Sequence, residues 1–170
     1  MKKNIVLIGP LGVGKTTTGK QIAKKLCLVF YDTDHEIEKR SGVSIATIFE
    51  FEGEEGYRKR ERTIIANLIG LDNIVLSSGG GAILSPENRA LFSKYCTVIY
   101  LRASLETQLN RTNRRKGTRP MLNIDDPFQK IAEFDRVRAP LYVSIADYTF
   151  DTDKFSPSEI ADQVAQLFNR

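Results

Sequence analysis

The stretch from Gly9 to Thr16 constrains this chain more than any other part of its sequence. It reads GPLGVGKT, which satisfies the pattern G-x-x-x-x-G-K-[ST], and it lies between an apolar run and a segment with helical spacing. Glycines let the backbone turn successive N–H groups inward at the start of a helix, which makes a binding site for an anion. The stretch therefore predicts a strand, an anion-binding loop and a helix in that order. A purely structural glycine-rich turn is the alternative.

Two side chains of this loop suit a nucleoside triphosphate. Lys15 places a positive charge where the β- and γ-phosphates would lie, and the Thr16 hydroxyl is a suitable ligand for Mg²⁺. Many nucleotide hydrolases with this loop carry a metal-supporting Asp after a later apolar strand. Here the apolar run 74–76 is followed by Ser-Ser-Gly instead, and aspartates follow an earlier run, as Asp32 and Asp34. The pattern favours a small kinase over a motor or a GTPase.

The size and composition of the chain indicate one ordinary soluble globular domain spanning 1–170. The chain has 170 residues, of which 41% are hydrophobic and 27% charged, so it can bury a single core without disulfides or a structural metal. Its net charge of +4 is lower than is usual for a nucleic-acid binder. We therefore expect neither nucleic acid nor a membrane as a partner. Binding of a small anionic ligand is sufficient to account for the positive charge.

The cysteines and the first residues of the chain indicate the cellular compartment in which the protein is found. Cys27 and Cys96 lie far apart with no metal-binding or redox spacing, which is typical of a reducing cytoplasm. The basic start is followed by too few apolar residues for a signal peptide or a membrane span. We expect a cytoplasmic monomer.

Apolar runs alternate along the chain with segments that begin like helices. The runs predict buried strands, and they cover 5–8, 28–31, 74–76, 98–101 and 145–150. Helix starts are marked by a capping residue before proline at Ser85, Asp126 and Ser156, and Glu159 completes a possible capping box. Such alternation predicts a parallel sheet covered by helices on both faces.

In such sheets, ligands bind at the carboxyl ends of the strands. Three polar stretches directly follow predicted strands: 9–16, 32–34 and 79–81. On an extended segment, Asp32 and Asp34 would share one face, so that one could support Mg²⁺ while the other faced an acceptor. The alternative is that such aspartates cap the start of a helix.

The acceptor side of the site is indicated by weaker signals. Arg58 and Glu61 are three apart in a segment that opens a helix after Gly53, so they can pair across one turn, although ordinary surface ion pairs look the same. The run 79–81 is Gly-Gly-Gly, which offers unobstructed backbone amides, and a flexible turn is the alternative.

A polar stretch with no apolar period covers 111–126, and we expect about 112–126 to form a lid. It contains Arg119, and closing it would exclude water and bring positive charge to a transferring phosphate. The alternative is that the basic residues of this stretch form only a solvent-exposed face with no function in binding. The basic residues in and near this stretch are Arg102, Arg111, Arg114, Arg115, Lys116 and Arg119.

Taken as an ordered set, these motifs resemble the shikimate kinase family over nearly the whole chain. The set comprises the 9–17 loop, Asp32-Thr33-Asp34, Gly53-Glu54 with Arg58 and Glu61, the glycines 79–81, Arg119-Pro120-Met121-Leu122 and Arg138-Ala139-Pro140-Leu141-Tyr142. The resemblance implies an α/β, three-layer α/β/α P-loop kinase with a lid, whose five parallel strands lie in the order 2-3-1-4-5. It also implies transfer of the ATP γ-phosphate to the 3-hydroxyl of shikimate, a step of aromatic amino-acid biosynthesis through chorismate.

The resemblance implies roles for individual residues. The catalytic residues would be Lys15, Asp34 and Arg119, and Mg²⁺ would be held by Thr16 and Asp32. ATP would be bound by Gly12, Val13, Gly14, Lys15, Thr16, Thr17, Arg111 and Arg119, with Arg114 or Arg115 as alternatives to Arg111 at the adenine. Shikimate would be bound by a helical segment at about 33–61 and by the residues Asp34, Arg58, Gly79, Gly80, Gly81 and Arg138.

The chemistry of these residues agrees with a hydroxy acid as acceptor. Two arginines suit one carboxylate through bidentate bonds, and Asp34 can accept from hydroxyl groups, whereas it would repel a nucleoside monophosphate. Tyr57 and Met121 depart from the family's usual Phe and Leu, and we expect both changes to conserve bulk and to matter little. Other readings remain open: a kinase of another polyol acid such as gluconate, a nucleotide-dependent switch, or a weak nucleic-acid binder.

Overall fold

A computed structural model describes residues 2–114 and 126–169, and within them five strands form one parallel sheet. The strands are β1 Asn4–Ile8, β2 Val29–Asp32, β3 Ile74–Ser77, β4 Cys96–Arg102 and β5 Tyr148–Asp151. Their spatial order is β2-β3-β1-β4-β5, and all four neighbouring pairs are parallel. The predicted strand order is confirmed.

Seven α-helices connect or follow the strands in the described residues. They are α1 Lys15–Leu26, α2 Thr33–Ser41, α3 Ile45–Ile69, α4 Pro86–Tyr95, α5 Leu105–Asn113, α6 Pro127–Ile145 and α7 Pro157–Phe168, with a short 3-10 helix at Ala82–Leu84. The three predicted capping residues each accept a backbone N–H at a helix start, and the capping box at Ser156 and Glu159 is present. Within 2–114 and 126–169, no helix combines the length and apolar character needed to cross a membrane.

The central strand β1 has all five of its residues buried. Val6 and Ile8 point into one apolar cluster, and Ile5 and Leu7 point into the other, because successive side chains of a strand alternate between its faces. The first cluster includes residues of α2, α3, α4 and α6, and the second includes residues of α1 and α7. The predicted three-layer arrangement is therefore confirmed.

Two of the predicted strands differ in detail from those observed. The run 28–31 was expected to be buried, but β2 is an edge strand and Val29 is 55% exposed. At the other edge, β5 begins only at Tyr148, because helix α6 continues through Ile145. Apolar residues at the end of a buried helix resemble the start of a strand when they are read from sequence alone.

The expectation of a polar loop beginning at Arg111 is wrong at its start. Arg111 lies in helix α5, whose Ser104 side chain accepts the N–H of Thr107 at the N-terminus. The last turn of this helix gave no apolar signal because 111–113 contains no apolar residue, and its buried member, Thr112, is polar. Gln108 donates to the Ala103 carbonyl, so its burial is compensated by hydrogen bonding.

Helix α3 is interrupted at Gly53, which has φ 68° and ψ −175°. A left-handed φ of this kind is easily adopted only by glycine. The chain therefore changes direction here and begins a new helical run that carries Tyr57, Arg58 and Glu61 toward the sheet. This agrees with the expectation that a helix opens after Gly53.

The two thiols should differ sharply in reactivity. Cys27 is exposed, whereas Cys96 is fully buried at the start of β4, and burial raises the pKa of its thiol to about 12. Because the thiolate is the reactive form, we expect one thiol per chain to react with DTNB at pH 8 in native protein, and two in denaturant. Cys27→Ser should abolish the native reaction, and rapid modification of Cys96 in that variant would contradict the described packing.

Candidate active site

The carboxyl ends of the strands surround a cavity of about 500 Å³. Loops that follow β1, β2, β3 and β5 contribute to its walls, as expected for a parallel sheet. The residues predicted from sequence that line it are Gly12, Val13, Gly14, Lys15, Thr16, Thr17, Asp32, Asp34, Gly79, Gly80 and Arg111. The anion-binding loop and Asp34 thus face one common space, whereas the predicted residues Arg58, Gly81 and Arg138 are not among those that line it.

The loop between β1 and α1 has the geometry that its glycines predicted. Gly14 precedes the first turn of α1 with φ 94°, a conformation that favours glycine. Lys15 is only 9% exposed, and its Nζ donates to the carbonyl oxygens of Gly9 and Pro10 at 2.8 and 2.7 Å. The ammonium group is therefore held beside the loop, at the N-terminus of a helix whose dipole also favours an anion.

Asp32 connects the loop to the next strand. Its Oδ2 accepts from the Thr16 hydroxyl at 2.9 Å, and its Oδ1 accepts from the backbone N–H of His35 at 3.2 Å. Asp32 is thus the N-cap of α2, as the capping alternative stated. The expectation that Asp32 and Asp34 share an extended segment is wrong, because Asp34 already lies in the first turn of that helix.

The adjacent oxygens of Thr16 and Asp32 fit a small divalent cation. Mg²⁺ commonly takes one or two protein oxygen ligands and completes its shell with phosphate oxygens and water. In residues 2–114 and 126–169, no cluster of three or more His, Cys, Asp or Glu side chains offers an all-protein metal site. Thr16 and Asp32 supply two oxygens, which suits an ion whose remaining ligands are phosphate oxygens and water.

Arg58 and Glu61 form an ion pair that is not on the surface. Arg58 Nη1 lies 2.9 Å from Glu61 Oε1, and their side chains are 15% and 1% exposed. Burial raises the pKa of the Glu61 carboxyl, and the neighbouring Arg58 guanidinium opposes that shift. The surface-pair alternative is ruled out by this burial, and the pair holds the guanidinium in place.

The glycine turn after β3 lies between two guanidinium groups. A Cβ added at Gly81 would be 2.1 Å from Arg58 Nη2, and one at Gly80 would be 3.6 Å from Arg138 Nη1. The turn is fixed by hydrogen bonds, since Ala82 donates to the Gly79 carbonyl. The flexible-turn alternative is therefore not supported, and the side of the turn toward Arg58 admits only glycine without displacement.

Arg138 brings a second buried cation to this region from helix α6. It is 5% exposed, and its guanidinium carbon lies 4.0 Å from the centre of the Phe134 ring. Burial lowers the pKa of Arg138, and the nearby positive charge of Arg58 acts in the same direction. Two guanidinium groups that both approach the glycine turn are suited to an anionic group that contacts both.

Tyr57 is a site residue whose polar role the sequence analysis missed. Its hydroxyl lies 2.6 Å from Asp34 Oδ1 and 3.1 Å from Glu61 Oε2. The expectation that Tyr in place of Phe matters only through bulk overlooked these contacts. The signal was present, because a tyrosine four residues before a glutamate on a helix can reach its carboxylate.

Arg111, expected at the adenine, lies against the backbone of the anion-binding loop. Its Nη1 is 3.3 and 3.2 Å from the carbonyl oxygens of Gly12 and Val13, and 3.3 Å from the hydroxyl of Thr152. The guanidinium therefore joins the loop to the segment that follows β5. Arg114, its possible substitute, also lines the cavity.

The segment after β5 is the largest part of the cavity wall that the sequence analysis did not include. The carboxyl-end rule, if applied to the fifth strand as well, would have found it. Asp153 in this segment accepts the N–H of Ser104 at 2.8 Å, which ties it to the start of α5. The lining residues from this segment are Thr152, Asp153, Lys154, Phe155, Ser156 and Pro157.

The predicted lid falls mostly outside the described residues. Arg119, Arg115 and Lys116 belong to 115–125, which the structure does not describe. Residues 112 and 113, at the start of the predicted lid, belong to helix α5. The roles assigned to Arg119 and to the lid stay predictions.

Comparison with protein-family models matches residues 11–169 of this chain to the shikimate kinase model. Curated relatives agree: a shikimate kinase of Thioalkalivibrio sulfidiphilus is 48% identical over 97% of this chain and 86% of its own length. Another, of Histophilus somni, is 48% identical over 99% of this chain and 96% of its own length. The matches therefore extend over nearly the whole of this chain.

A solved structure is similar at the level of the whole fold. The shikimate kinase from Acinetobacter baumannii, determined in complex with shikimate, is 41% identical to this chain with a TM-score of 0.94. The similarity covers 99% of this chain and 93% of that one. The two proteins therefore share one fold.

The buried ion pair should contribute to stability in a way that an exposed pair on the same helix does not. Arg58→Ala leaves the Glu61 charge buried without its guanidinium partner, and should lower the free energy of unfolding by about 3 kcal/mol, measured by urea denaturation at pH 7. Arg60→Ala removes the exposed, bidentate pair with Glu52 and should lower the free energy of unfolding by less than about 1 kcal/mol.

A further change tests the cause of this loss. Glu61→Gln in the Arg58→Ala background removes the unpaired charge and should recover part of the lost stability. Equal midpoints for Arg58→Ala and Arg60→Ala would contradict the assignment of a buried pair.

Proposed function

Because this chain belongs to the shikimate kinase family, we propose that it transfers the γ-phosphate of ATP to the 3-hydroxyl of shikimate, giving shikimate 3-phosphate and ADP. Such an enzyme is an ATP-dependent phosphotransferase with an alcohol group as acceptor. The reaction would place it in the biosynthesis of aromatic amino acids through chorismate.

The observation that carries this proposal is that the two halves of the site share one cavity. The residues 12–17, which include Lys15, line this cavity, and so do Asp34, Gly79 and Gly80. Phosphoryl transfer requires the donor and the acceptor to lie in line within one space that excludes water. A single cavity lined by both sets of residues is the arrangement that this reaction needs.

On the donor side, this chain's residues would bind and orient the triphosphate. The 12–17 backbone amides would hold phosphate oxygens, and the Lys15 ammonium would move from its loop carbonyls to the β- and γ-phosphates. Thr16 and Asp32 would hold Mg²⁺, which when bound neutralises charge on the phosphate oxygens. Arg119 is proposed to bring further positive charge to the transferred group.

On the acceptor side, the buried guanidinium groups of Arg58 and Arg138 would hold the carboxylate of shikimate through bidentate bonds. Asp34 would accept from a ring hydroxyl and orient it toward the donor. Asp34 is also positioned to take the hydroxyl proton, although a loose transition state needs little assistance from a base. The glycines 79–81 would contact the ring through their main chain.

Two broader assignments belong to the same proposal. We propose that 1–170 act as one domain and one monomer, with about 33–61 forming the acceptor side and about 112–126 the lid. The reducing cytoplasm is the proposed compartment, and it suits two free cysteines, one exposed and one buried.

Release of ADP from Mg-ATP tests the proposed reaction. Shikimate, gluconate and nucleoside monophosphates are supplied side by side, and ADP should form with shikimate alone. Lys15→Ala should lower the rate by about three orders of magnitude, because electrostatic stabilisation dominates phosphoryl transfer, and EDTA should abolish it. If ADP formed with gluconate but not with shikimate, the assignment of the donor side would stand and the assignment of shikimate as the acceptor would be overturned.

The glycine turn offers a separate test of the acceptor side. Gly81→Ala places a methyl group on the Arg58 guanidinium, so we expect the KM for shikimate to rise about tenfold while the KM for ATP is unchanged. The double variant Arg58→Ala/Gly81→Ala should then have the same KM for shikimate as Arg58→Ala alone. A Gly81→Ala variant with an unchanged KM for shikimate would contradict the placement of Arg58 at the substrate.

A further inference from the structure

The hydroxyl of Tyr57 occupies a place in the site that the proposed reaction does not by itself explain. Tyr57 is 5% exposed, and its oxygen lies between the carboxylates of Asp34 and Glu61. Asp34 belongs to α2, while Tyr57 and Glu61 lie one turn apart on α3. The hydroxyl therefore joins the two helices that form the acceptor side.

The distances indicate which carboxylate receives the hydroxyl proton. One hydroxyl carries one proton, so it donates fully to only one acceptor at a time. The 2.6 Å separation from Asp34 Oδ1 is typical of an O–H donor to an ionised carboxylate, whereas the 3.1 Å separation from Glu61 Oε2 is longer. Tyr57 thus donates chiefly to Asp34, and Glu61 is the weaker second acceptor.

The ring that carries this hydroxyl is held in place by its neighbours. Its centre lies 4.8 Å from that of Phe49, and the Arg58 guanidinium carbon lies 5.2 Å from the ring centre. A Cβ added at Gly79 would be 3.4 Å from the hydroxyl oxygen, so the glycine turn packs directly over it. A donor held this firmly restricts the orientation of the carboxylate that accepts from it.

We propose that Tyr57 is a positioning residue, which holds Oδ1 of Asp34 and thereby fixes the orientation of the carboxylate that contacts a hydroxyl of the acceptor. Glu61, the weaker second acceptor of this hydroxyl, pairs with Arg58, whose Nη1 lies 2.9 Å from Glu61 Oε1. The effect of Tyr57 on acceptor binding therefore passes through the shorter contact, the one to Asp34. This inference rests on the proposed function, since it assigns Asp34 to the acceptor.

Shikimate binding, measured by isothermal titration calorimetry, tests the proposal in a double-mutant cycle. The proteins are the wild type, Tyr57→Phe, Asp34→Ala and the double variant. Tyr57→Phe should raise the Kd for shikimate roughly 3- to 10-fold, the range for one hydrogen bond, and leave the Kd for Mg-ADP unchanged. In the Asp34→Ala background, Tyr57→Phe should change the Kd by less than about 1.5-fold, because its effect passes through Asp34.

The matched control is Tyr148→Phe, which removes a tyrosine hydroxyl from the other apolar cluster, on the opposite face of the sheet. It should leave both dissociation constants unchanged, and unfolding midpoints of all variants report whether each is folded. A purely structural role for Tyr57 would weaken binding equally with and without Asp34, and that result would overturn the inference, as would an unchanged Kd in Tyr57→Phe.

Failure of the proposed function gives a different result from failure of this inference. If wild-type protein binds Mg-ADP but not shikimate, the assignment of the acceptor is wrong, and the proposed role of Tyr57 is overturned as well. If the wild type binds shikimate and the cycle is additive, the function stands and only the positioning role is overturned.

Discussion

The rest of the structure depends on the central strand β1, which is buried on both faces and paired on both edges. β1 is hydrogen-bonded to β3 on one side and to β4 on the other, and all five of its residues are buried. Its carboxyl end, where the anion-binding loop begins, is thereby fixed relative to the ends of its neighbours. A loop anchored in this way can keep its amides aimed at one point.

The acceptor side is built by a different principle, which is compensation between buried charges. Arg58, Glu61 and Arg138 are all largely removed from water, a costly arrangement that requires partners. Arg58 is held by Glu61, and the glycine turn allows both guanidinium groups to approach its backbone. The site thus keeps positive charge in a place with little competing solvent, where an anionic acceptor group gains most from it.

The two sides meet through residues that serve both. Asp32 accepts from Thr16 of the loop and caps the helix that carries Asp34, so the donor and acceptor sides share one aspartate. Arg111 joins the loop to the segment after β5 in a similar way. Displacing any one of these elements would therefore alter the geometry on more than one side of the cavity, since each group is held by contacts from two parts of the chain.

The sequence by itself determined the anion-binding loop, the helix caps and a parallel sheet, because these depend on local patterns of glycine, apolar and capping residues, whereas the strand order was implied by the family that the ordered motifs resemble. The ordered motif set also predicted one site for Asp34, Arg58 and Arg138, and that assignment stays a prediction. Only the tertiary structure decided that the Arg58–Glu61 pair is buried, that helix α5 includes Arg111, and that the Tyr57 hydroxyl lies between two carboxylates. Burial and contacts between distant segments depend on how helices pack, and no local pattern of residues encodes that packing.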